Sequence, residues 1–387
     1  MTHLNYLEKL LDGEIVEWIA LGDVTLIKTG QAVSKQAIST NPGQYPVINS
    51  GKEPLGFIDK WNTDNDPIGI TTRGAGVGSI TWQEGKYFRG NLNYSVTIKD
   101  SANLEVRYLY HLLHQMQSAI QSLCTFDGIP ALNAGSLKGL EIPIPCPDNP
   151  EKSLAIQAEI VRILDAFTAM TAELTAELTA ELNLRKKQYN YYRDQLLSFE
   201  EGEVEWKALG KIAEINTGQK PSEILDTEAE FDYINAGTTR SGYCALSNCE
   251  GDTVTTPSRG QGGIGFVGYQ NKSFWLGPLC YKIRSIDNKV LINKYLFYIL
   301  QSKNQLLLGL KKEGGVPAVN KSDLAKLEVP VPSVTEQERI VEILDKFDTL
   351  TTSIQEGLPC EIELRQKQYE YYRDLLLSFP KPEEAAA

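Results

Sequence analysis

The chain has 387 residues, of which 42% are hydrophobic and 23% are charged, and its formal net charge is −12. This composition is typical of a globular protein with two or three domains, and it excludes a chain that is disordered throughout. No run of about 18 consecutive apolar residues occurs, so the sequence predicts no transmembrane helix. The acidic excess argues against a nucleic-acid partner unless the charge is unevenly distributed.

The N-terminal residues 1–16 have the apolar spacing of an amphipathic helix rather than the pattern of a signal peptide. The six cysteines are scattered and form no Cys-x-x-Cys pair, a usage that predicts a reducing cytoplasm and no disulfide framework. Cys244 and Cys249 lie close together, but no pair of His or Cys follows them at zinc-finger spacing. We therefore expect no metal site.

Residues 17–150 form a first block that is rich in glycine, aromatic residues and short β-branched runs such as Tyr94–Ile98. That pattern predicts short strands joined by glycine turns. Apolar residues spaced three and four apart predict a small helix over Val106–Leu123. The block ends with Glu141-Ile-Pro-Ile-Pro145, where we expect the prolines to stop the sheet.

A long helical segment follows within residues 151–204. Ile156–Phe199 contains neither Pro nor Gly and places its apolar residues at helical spacing. The tetrapeptide Thr-Ala-Glu-Leu occurs three times in succession at residues 171–182. At about 1.5 Å per residue the helix would span roughly 65 Å, and helices of such length usually pair with another helix.

The second half of the chain repeats the first. Arg185–Phe199 returns as Arg365–Phe379 at an offset of 180 residues, and shorter matches have offsets of 186 to 188. These shorter matches join Thr29-Gly-Gln31 to Thr217-Gly-Gln219, Ile48-Asn49-Ser-Gly51 to Ile234-Asn235-Ala-Gly237, Arg73-Gly-Ala-Gly76 to Arg259-Gly-Gln-Gly262, Gly128-Ile-Pro-Ala-Leu-Asn133 to Gly315-Val-Pro-Ala-Val-Asn320, and Glu141-Ile-Pro-Ile-Pro145 to Glu328-Val-Pro-Val-Pro332. Two copies of one architecture predict one task that is performed at two places.

The second copy contains the same kinds of element in the same order. Its globular block covers residues 205–333, with a small helix expected over Asn293–Leu310. Its long helix, Glu336–Phe379, lies within residues 334–387, and Gly357-Leu-Pro359 should kink or break it.

The repeat is also circular, because the N-terminal helix resembles the end of a long helix. Residues 1–16 are therefore predicted to complete the C-terminal copy. The sequence as a whole predicts an α+β fold class, in which two mainly β blocks with small helices are separated by two long antiparallel coiled-coil helices. A pseudo-twofold axis would relate the two copies.

The charge is unevenly distributed along the chain. Residues 17–150 carry 10 Lys and Arg against 12 Asp and Glu, and residues 210–333 carry 14 against 12. The acidic excess therefore lies outside two nearly neutral blocks. These totals are compatible with a local basic face on either block but do not show one.

The sequence offers no convincing catalytic site. It contains no phosphate-binding P-loop and no Gly-x-Ser-x-Gly motif. His111 and His114 share one face of a predicted helix, which favours packing over a metal or acid–base site. The glycine clusters after Arg73 and Arg259 lack the helix and the acidic residue of a dinucleotide site. They are either tight hairpins or loops that bring the backbone close to a phosphate beside the arginine.

The helical motifs carry a family resemblance. The Thr-Ala-Glu-Leu repeats, the following Arg185–Tyr189 and the duplicated Leu-x-x-Leu, Pro-x-Pro and Ile-Val-x-Ile-Leu-Asp segments resemble the DNA-specificity subunit of type I restriction–modification enzymes. The tandem repeats are similar to those of one subgroup in particular. The resemblance covers nearly the whole chain, although the two globular blocks are expected to diverge because each would read a different DNA sequence.

The resemblance implies a non-catalytic subunit whose blocks 17–150 and 205–333 would be target-recognition domains, each reading one half of a bipartite double-stranded DNA site. The long helices would set the half-site spacing and dock two methyltransferase subunits for adenine methylation. Restriction subunits with translocase and nuclease activity would join them. S-adenosylmethionine, ATP and Mg would belong to those partners, with no cofactor in this chain, and the complex would be cytoplasmic without membrane contact.

Direct readout of bases needs Arg, Lys, Asn or Gln at base edges. The predicted DNA contacts are Lys52, Arg73, Lys86, Arg89, Arg240, Arg259, Gln261 and Lys272. Arg73 and Arg259 are favoured because both copies keep Arg-Gly-x-Gly, and a position kept in both copies suits a phosphate better than a base. Asn133 and Asn320 are interpreted as turn or cap residues.

Two other interpretations stay open. A protein-binding scaffold would hold two protein partners across the coiled coil. A phosphate-binding enzyme built on the glycine loops is disfavoured, because the sequence offers it no base, nucleophile or metal site.

Overall fold

The computed structural model describes residues 6–51, 53–126, 128–200, 202–260, 262–312, 316–352 and 357–381. The chain forms two compact units. The first consists of Met1–Ala176 together with Glu363–Ala387, and the second consists of Glu177–Ile362. The two ends of the chain thus belong to the same unit.

The first unit alternates short strands with small helices before the long helix begins. In chain order its elements are α1 (Tyr6–Leu11), β1 (Val16–Ala20), α2 (Leu21–Val24), β2 (Thr25–Thr29), α3 (Lys35–Thr40), β3 (Pro42–Ile48), β4 (Phe57–Ile58), β5 (Thr63–Asp64), β6 (Ile68–Thr71), β7 (Ile80–Trp82), β8 (Lys86–Arg89), β9 (Asn93–Ile98), α4 (Val106–Gln115), α5 (Gln117–Ser122), α6 (Ala134–Lys138) and β10 (Glu141–Pro145). The long helix α7 (Pro150–Leu196) follows and continues into the second unit. The small helix predicted over Val106–Leu123 is confirmed as the consecutive helices α4 and α5.

The second unit repeats most of this order, without counterparts of α3 and β5 among its described residues. Its elements are β11 (Glu205–Ala208), α8 (Leu209–Ile212), β12 (Ala213–Thr217), β13 (Phe231–Ile234), β14 (Tyr243–Cys244), β15 (Thr253–Pro257), β16 (Gly268–Gln270), β17 (Trp275–Leu276), β18 (Cys280–Ser285), α9 (Asn293–Ser302), α10 (Asn304–Gly309), α11 (Lys321–Leu324), β19 (Glu328–Val331) and α12 (Val334–Thr352). The final helix α13 (Leu358–Leu377) begins in this unit and ends in the first. The α+β fold class, with two β-rich blocks and long helical segments, is confirmed.

The sheets of the two units correspond. An antiparallel four-stranded sheet has the order β2-β9-β6-β7 in the first unit and β12-β18-β15-β16 in the second. A second, mixed sheet has the order β4-β3-β8-β5 in the first unit and β14-β13-β17 in the second, with one parallel pair in each, β3 with β8 and β13 with β17. A two-stranded ribbon, β1 with β10 or β11 with β19, closes each block.

The proline-rich motif at the end of each block differs from our expectation, because it forms a strand instead of stopping the sheet. Pro143 of β10 lies opposite Trp18, and Pro145 lies opposite Val16. A ribbon of two strands has only edge strands, so a proline can point its missing hydrogen-bond donor away from the partner strand.

The N-terminal helix packs into the core of the first unit. Leu7 and Leu11 of α1 are buried in one apolar cluster with Leu376, Leu377 and Phe379 from the end of the chain. The domain boundaries at 1–16, 17–150, 151–204, 205–333 and 334–387, and the assignment of residues 1–16 to the C-terminal copy, stay predictions.

The long helices pair within each unit, as predicted. In the first unit, Phe167 of α7 packs against Tyr372 of α13 with ring centroids 5.6 Å apart. In the second unit, Tyr192 of α7 stacks on Phe347 of α12 at 5.8 Å. These pairs occupy equivalent positions of the repeat, so each unit contains the same helix–helix contact.

The predicted interruption of the second long helix is confirmed. Helix α12 ends at Thr352 and α13 begins at Leu358. Gly357 lies directly against α12, because a Cβ atom placed on it would be 2.5 Å from the carbonyl oxygen of Thr349. A larger residue would therefore have to displace the backbone of α12.

A fully buried glutamine fixes the start of α7 to the first block. The Gln157 side chain is 0% exposed. Its Oε1 accepts the backbone N–H of Glu105 at 2.9 Å, and its Nε2 donates to the carbonyl oxygen of Asn103 at 3.0 Å. Glu105 is the N-cap residue of α4. One side-chain amide thus provides hydrogen-bond partners for a backbone N–H and a backbone carbonyl oxygen at the start of this small helix.

Gln337 makes the same contacts in the second unit. It is also 0% exposed, and its Oε1 accepts the backbone N–H of Ile292, the N-cap residue of α9, at 2.8 Å. Its Nε2 donates to the carbonyl oxygens of Val290 and Pro332, both at 2.9 Å. Each unit therefore uses a buried amide to set a long helix against a small one.

Two turns further along, a carboxylate makes a second cross-helix contact in each unit. Asp165 of α7 accepts hydrogen bonds from His111 Nε2 at 2.8 Å and from Arg107 Nε at 2.9 Å. Burial lowers the pKa of His111 from its ordinary value, and the hydrogen bond with Asp165 opposes this shift. The interpretation of His111 as a packing residue is confirmed.

The equivalent carboxylate in the second unit has different partners. Asp345 of α12 accepts a hydrogen bond from the Tyr298 hydroxyl at 2.5 Å and lies 3.3 Å from Lys294 Nζ. Tyr298 and Lys294 occupy the positions of His111 and Arg107. The carboxylate thus keeps a neutral and a cationic partner although both residue types have changed.

In the described part of the chain, no helix combines the length and the apolar character needed to cross a membrane.

We predict that Gln157→Leu and Gln337→Leu each destabilise the unit that contains the substitution. Leucine has a similar size but leaves buried backbone groups without partners, which should lower the free energy of unfolding by about 2 to 4 kcal/mol. Urea denaturation of the full chain would measure this loss. The matched control is Gln36→Leu, an exposed glutamine, for which we expect a change within about 0.5 kcal/mol. A loss as small as that of the control would contradict the prediction.

Candidate nucleic-acid interface

The Arg-Gly loop of the first unit is joined to a second duplicated motif. It connects β6 to β7, and Arg73 pairs in antiparallel fashion with Ala131 of the Gly128–Asn133 motif. The backbone N–H of Gly74 donates to the carbonyl oxygen of Pro130 at 2.9 Å, and the N–H of Leu132 donates to that of Thr72 at 2.8 Å. Two motifs about 60 residues apart in the sequence thus form one structural element.

The second unit builds the same element. Arg259 lies in the connection from β15 to β16 and pairs with Ala318. The N–H of Gly260 donates to the carbonyl oxygen of Pro317 at 3.1 Å, and the N–H of Val319 donates to that of Ser258 at 2.9 Å. The duplication therefore extends from the sequence to individual backbone hydrogen bonds.

The glycine after each arginine is required by the backbone conformation. The φ angle is +94° at Gly74 and +131° at Gly260, a region that side-chain-bearing residues rarely adopt. Each glycine cluster connects two antiparallel strands, β6 to β7 and β15 to β16. The prediction of tight hairpins is wrong, because eight residues separate β6 from β7 and ten residues separate β15 from β16. The loop turns sharply at the glycine and leaves the preceding arginine exposed in both units.

A third duplicated motif supports these loops. The side-chain oxygen of Asn49 accepts the backbone N–H of Leu92 at 2.9 Å, and that of Asn235 accepts the N–H of Leu279 at 3.0 Å. The following residue lies against the Arg-Gly loop in the second unit, where a Cβ atom on Gly260 would be 3.6 Å from Ala236 Cβ. The asparagines therefore hold neighbouring loops in place and do not serve as free side chains.

The structure places the predicted DNA contacts in different surroundings. Arg73 and Arg259 are exposed on the equivalent loops. Arg240 is also exposed, lies 4.5 Å from the ring centre of Tyr243 and lines a cleft of about 800 Å³. Lys52 and Gln261 lie outside the described residues.

Two predicted lysines lie elsewhere on the blocks. Lys86 is exposed on β8, opposite Asp64, with Nζ 4.6 Å from the ring centre of Trp61. Lys272 is exposed in the connection between β16 and β17. Neither residue belongs to the paired loop element that contains Arg73 or Arg259.

Arg89 does not fit the prediction that it contacts DNA. Its side chain is 3% exposed, and its guanidinium donates to the carbonyl oxygens of Ile68 at 3.0 Å and Tyr94 at 2.9 Å. It also donates to the Tyr87 hydroxyl and lies 3.7 Å from Asp66. Burial lowers the pKa of Arg89, and the neighbouring Tyr87 and Asp66 oppose this shift. Its structural role is to satisfy strand carbonyls inside the block.

The two asparagines at the end of the second motif stand at helix starts, as predicted. Asn133 is the N-cap residue of α6, and its side chain accepts the N–H of Gly135 at 2.7 Å. Asn320 occupies the same position before α11, where its side chain makes no capping hydrogen bond. Within the described ranges, no group of three or more His, Cys, Asp or Glu residues could hold a metal ion.

Sequence reasoning missed an exposed apolar residue on the paired loops. Ile129 is 70% exposed and Val316, its counterpart in the repeat, is 57% exposed. Each is followed by the proline whose carbonyl oxygen accepts the hydrogen bond from the Arg-Gly loop. The duplicated Gly-(Ile/Val)-Pro-Ala motif was visible in the sequence, but the exposure of its Ile or Val side chain depends on contacts across the block.

Comparison with known proteins identifies a family. The family described as "Type I restriction modification DNA specificity domain" matches residues 14–184 and 201–364. The specificity subunit of the type I restriction enzyme EcoR124I/EcoR124II from Escherichia coli is 39% identical over 422 residues, covering 99% of each chain. The EcoprrI specificity subunit from the same species is 34% identical, with 92% of this chain and 93% of the relative covered.

Solved structures support the fold. The S subunit of a type I restriction–modification system from M. genitalium is 22% identical, with a TM-score of 0.55 over 96% of this chain and 97% of that one. A chain from a structure of the type I R-M system, solved to explain complex assembly and conformational transition, is 16% identical. Its TM-score is 0.62 over 94% of this chain and 97% of that one.

Proposed function

Because the chain belongs to the type I restriction modification DNA specificity family, we propose that each of its two blocks reads one half of a bipartite double-stranded DNA site. The chain is a specificity subunit and not itself an enzyme, and the family implies DNA, methyltransferase subunits and restriction subunits as partners. The observation that carries the proposal is the duplicated loop element, which exposes Arg73 in one unit and Arg259 in the other.

The two arginines suit a phosphate contact. Each side chain leaves a loop whose backbone is held by hydrogen bonds on both sides of the arginine, so the guanidinium starts from a fixed position. Phosphate contacts orient a protein on DNA without carrying sequence information. A contact common to two different half-sites is therefore expected to be of this kind.

Base readout then falls to residues that differ between the copies. Lys86 in the first block and Arg240 and Lys272 in the second are exposed and have the donors that base edges require. Lys52 and Gln261 remain candidates from the sequence alone. Because the chain as a whole is acidic, we expect the isolated subunit to bind DNA weakly and the assembled complex to bind strongly.

We predict that Arg73→Ala and Arg259→Ala weaken DNA binding by the methyltransferase complex to all sequences alike. Each loss of a phosphate contact should make the negative slope of log Kobs against log salt concentration less steep by about 1. Titration of a fluorescent duplex at several salt concentrations would measure it.

The matched control for this titration is Arg162→Ala, an exposed arginine of α7 that is paired with Glu159 at 2.7 Å. We expect the control to leave the slope unchanged. A variant that keeps its slope and instead tolerates a different base at one position would show that the arginine reads a base, against the prediction.

We further propose that the long helices dock two methyltransferase subunits, which would bring S-adenosylmethionine, while ATP and Mg would be used by restriction subunits. The most similar segment of the repeat presents an exposed apolar face in both units. Leu184 and Tyr191 lie seven residues apart on one face of α7 and are 60% and 62% exposed. Leu364 and Tyr371 of α13 match them. Exposed aromatic residues are typical of protein interfaces.

We predict that Tyr191→Ala and Tyr371→Ala each weaken the binding of one methyltransferase subunit by about 2 kcal/mol, as expected for an aromatic anchor at an interface. Titration calorimetry with the purified methyltransferase subunit would measure affinity and stoichiometry. Met170→Ala is the control, because Met170 is an exposed apolar residue of α7 that lies outside Arg185–Phe199, the most similar part of the repeat. Equal effects of all three variants, or none, would contradict docking at this face.

The Thr-Ala-Glu-Leu repeats lie inside α7, and we propose that the length of this helix sets the distance between half-sites. One repeat adds about 6 Å of helix, whereas DNA rises about 3.4 Å per base pair. One repeat therefore corresponds to one or at most two base pairs.

We predict that deletion of Thr179–Leu182 shortens the spacer of the methylated motif by one or two base pairs and leaves both half-sites unchanged. Modified-base sequencing of host DNA would show the motif directly. Thr179→Ala keeps the helix length and should keep the spacer. An unchanged spacer after the deletion would contradict the proposal that the length of α7 sets the distance between half-sites.

A host that lacks the gene should lose N6-methyladenine at the motif. Retention of N6-methyladenine there would favour a protein scaffold instead.

A further inference from the structure

We propose that Ile129 and Val316 act as apolar wedges that enter the DNA groove beside the arginine contacts and unstack one base step in each half-site. The inference rests on the proposed DNA-reading function and concerns apolar side chains instead of the cationic ones discussed above. Ile129 and Val316 each stand two residues before the alanine, Ala131 or Ala318, that pairs with the arginine loop.

The segment that follows Ile129 is held on both sides. Thr125 and Ala131 exchange backbone hydrogen bonds of 2.9 and 3.0 Å. Ala131 also pairs with Arg73 on its other side, and the hydroxyl of Tyr94 donates to the carbonyl oxygen of Leu132 at 3.3 Å. Ile129 is therefore exposed directly before a segment whose backbone is fixed by hydrogen bonds.

The segment that follows Val316 in the second unit makes the same contacts. Lys312 and Ala318 exchange backbone hydrogen bonds of 2.8 and 3.3 Å, and Ala318 pairs with Arg259. The hydroxyl of Tyr281 donates to the carbonyl oxygen of Val319 at 3.0 Å. Val316 thus occupies the position of Ile129 relative to the exposed arginine loop.

A single exposed isoleucine needs no explanation, since scattered apolar residues are common on protein surfaces. Here the same type of side chain is exposed at matched positions of two blocks. Both residues are β-branched, which makes the side chain stiff at χ1, and both precede a proline. A stiff apolar side chain directly before a hydrogen-bonded segment has the properties of a wedge.

The neighbouring arginine identifies DNA as the occupant of this surface. In each unit the segment that follows Ile129 or Val316 is hydrogen-bonded to the arginine loop. A duplex whose phosphate contacts Arg73 or Arg259 would therefore lie beside Ile129 or Val316. Proteins that bind the minor groove insert Phe, Leu, Ile, Met or Pro between base steps and partly unstack them. A wedge carries little base information, which agrees with its presence in both copies.

The test uses the full chain assembled with its methyltransferase subunits and duplexes that carry the methylated motif. 2-Aminopurine replaces one base at a time, except the adenine that is methylated, and its fluorescence rises where stacking is lost. We expect the wild-type complex to raise fluorescence at one step in each half-site. Ile129→Ala should abolish the rise in one half-site only, and Val316→Ala should abolish it in the other.

The chain offers matched controls. Ile15 in the first unit and Ile286 in the second are exposed to a similar degree but lie outside the paired loop elements, so Ile15→Ala and Ile286→Ala should keep both rises. A wild-type complex that binds the duplex without any rise would overturn the wedge alone. So would wedge variants that keep the rise, that lose it no more than the controls do, or that impair only assembly with the methyltransferase subunits.

Replacement of thymine by uracil separates the wedge from a simple contact with a thymine methyl group in the major groove. If uracil weakens wild-type binding as much as Ile129→Ala does, and the rise is absent, the methyl contact replaces the wedge. A complex that binds no duplex at all overturns the proposed function itself, and the wedge with it.

Discussion

The buried amides of Gln157 and Gln337 are the contacts on which the rest of each unit depends. Each long helix begins directly after a block. Apolar burial alone is non-directional, so it would specify the orientation of the first turns less sharply. The amide is directional, because it must meet a backbone N–H and a carbonyl oxygen at the start of a small helix. Leaving either group unsatisfied inside the core is costly, so the angle between helix and block is specified chemically as well as by packing.

The contacts between long and small helices tolerate a change of residue type where the geometry and the charge of the contact are both kept. Asp165 contacts His111 and Arg107, whereas Asp345 contacts Tyr298 and Lys294. In both units one partner is a neutral donor and the other is a cation, so the carboxylate remains compensated. Such conserved contacts suit the proposed function, in which two blocks would be held by the same helical contacts while their DNA-reading surfaces differ.

Within this frame, the position of a cationic residue matters more than its charge. Arg73 and Arg259 leave braced loops and face outward, whereas Arg89 turns inward and binds strand carbonyls. All three directly precede a glycine in the sequence. Their difference arises because Arg89 belongs to a central strand, whose neighbours surround its side chain, while the other two lie where a hairpin turns.

Local patterns in the sequence were sufficient for the repeat, the small helices within Val106–Leu123 and Asn293–Leu310, the long helices and the interruption at Gly357, because helical periodicity and breakers act over a few residues. The strand character of Glu141–Pro145, the burial of Arg89 and the exposure of Ile129 were decided only by the tertiary structure. Each depends on which distant segment lies alongside: a partner strand for the prolines, a surrounding sheet for the arginine and a bracing loop for the isoleucine. Contacts between residues far apart in the chain have no local signature, and the proposed DNA-reading surface of this protein is built from such contacts.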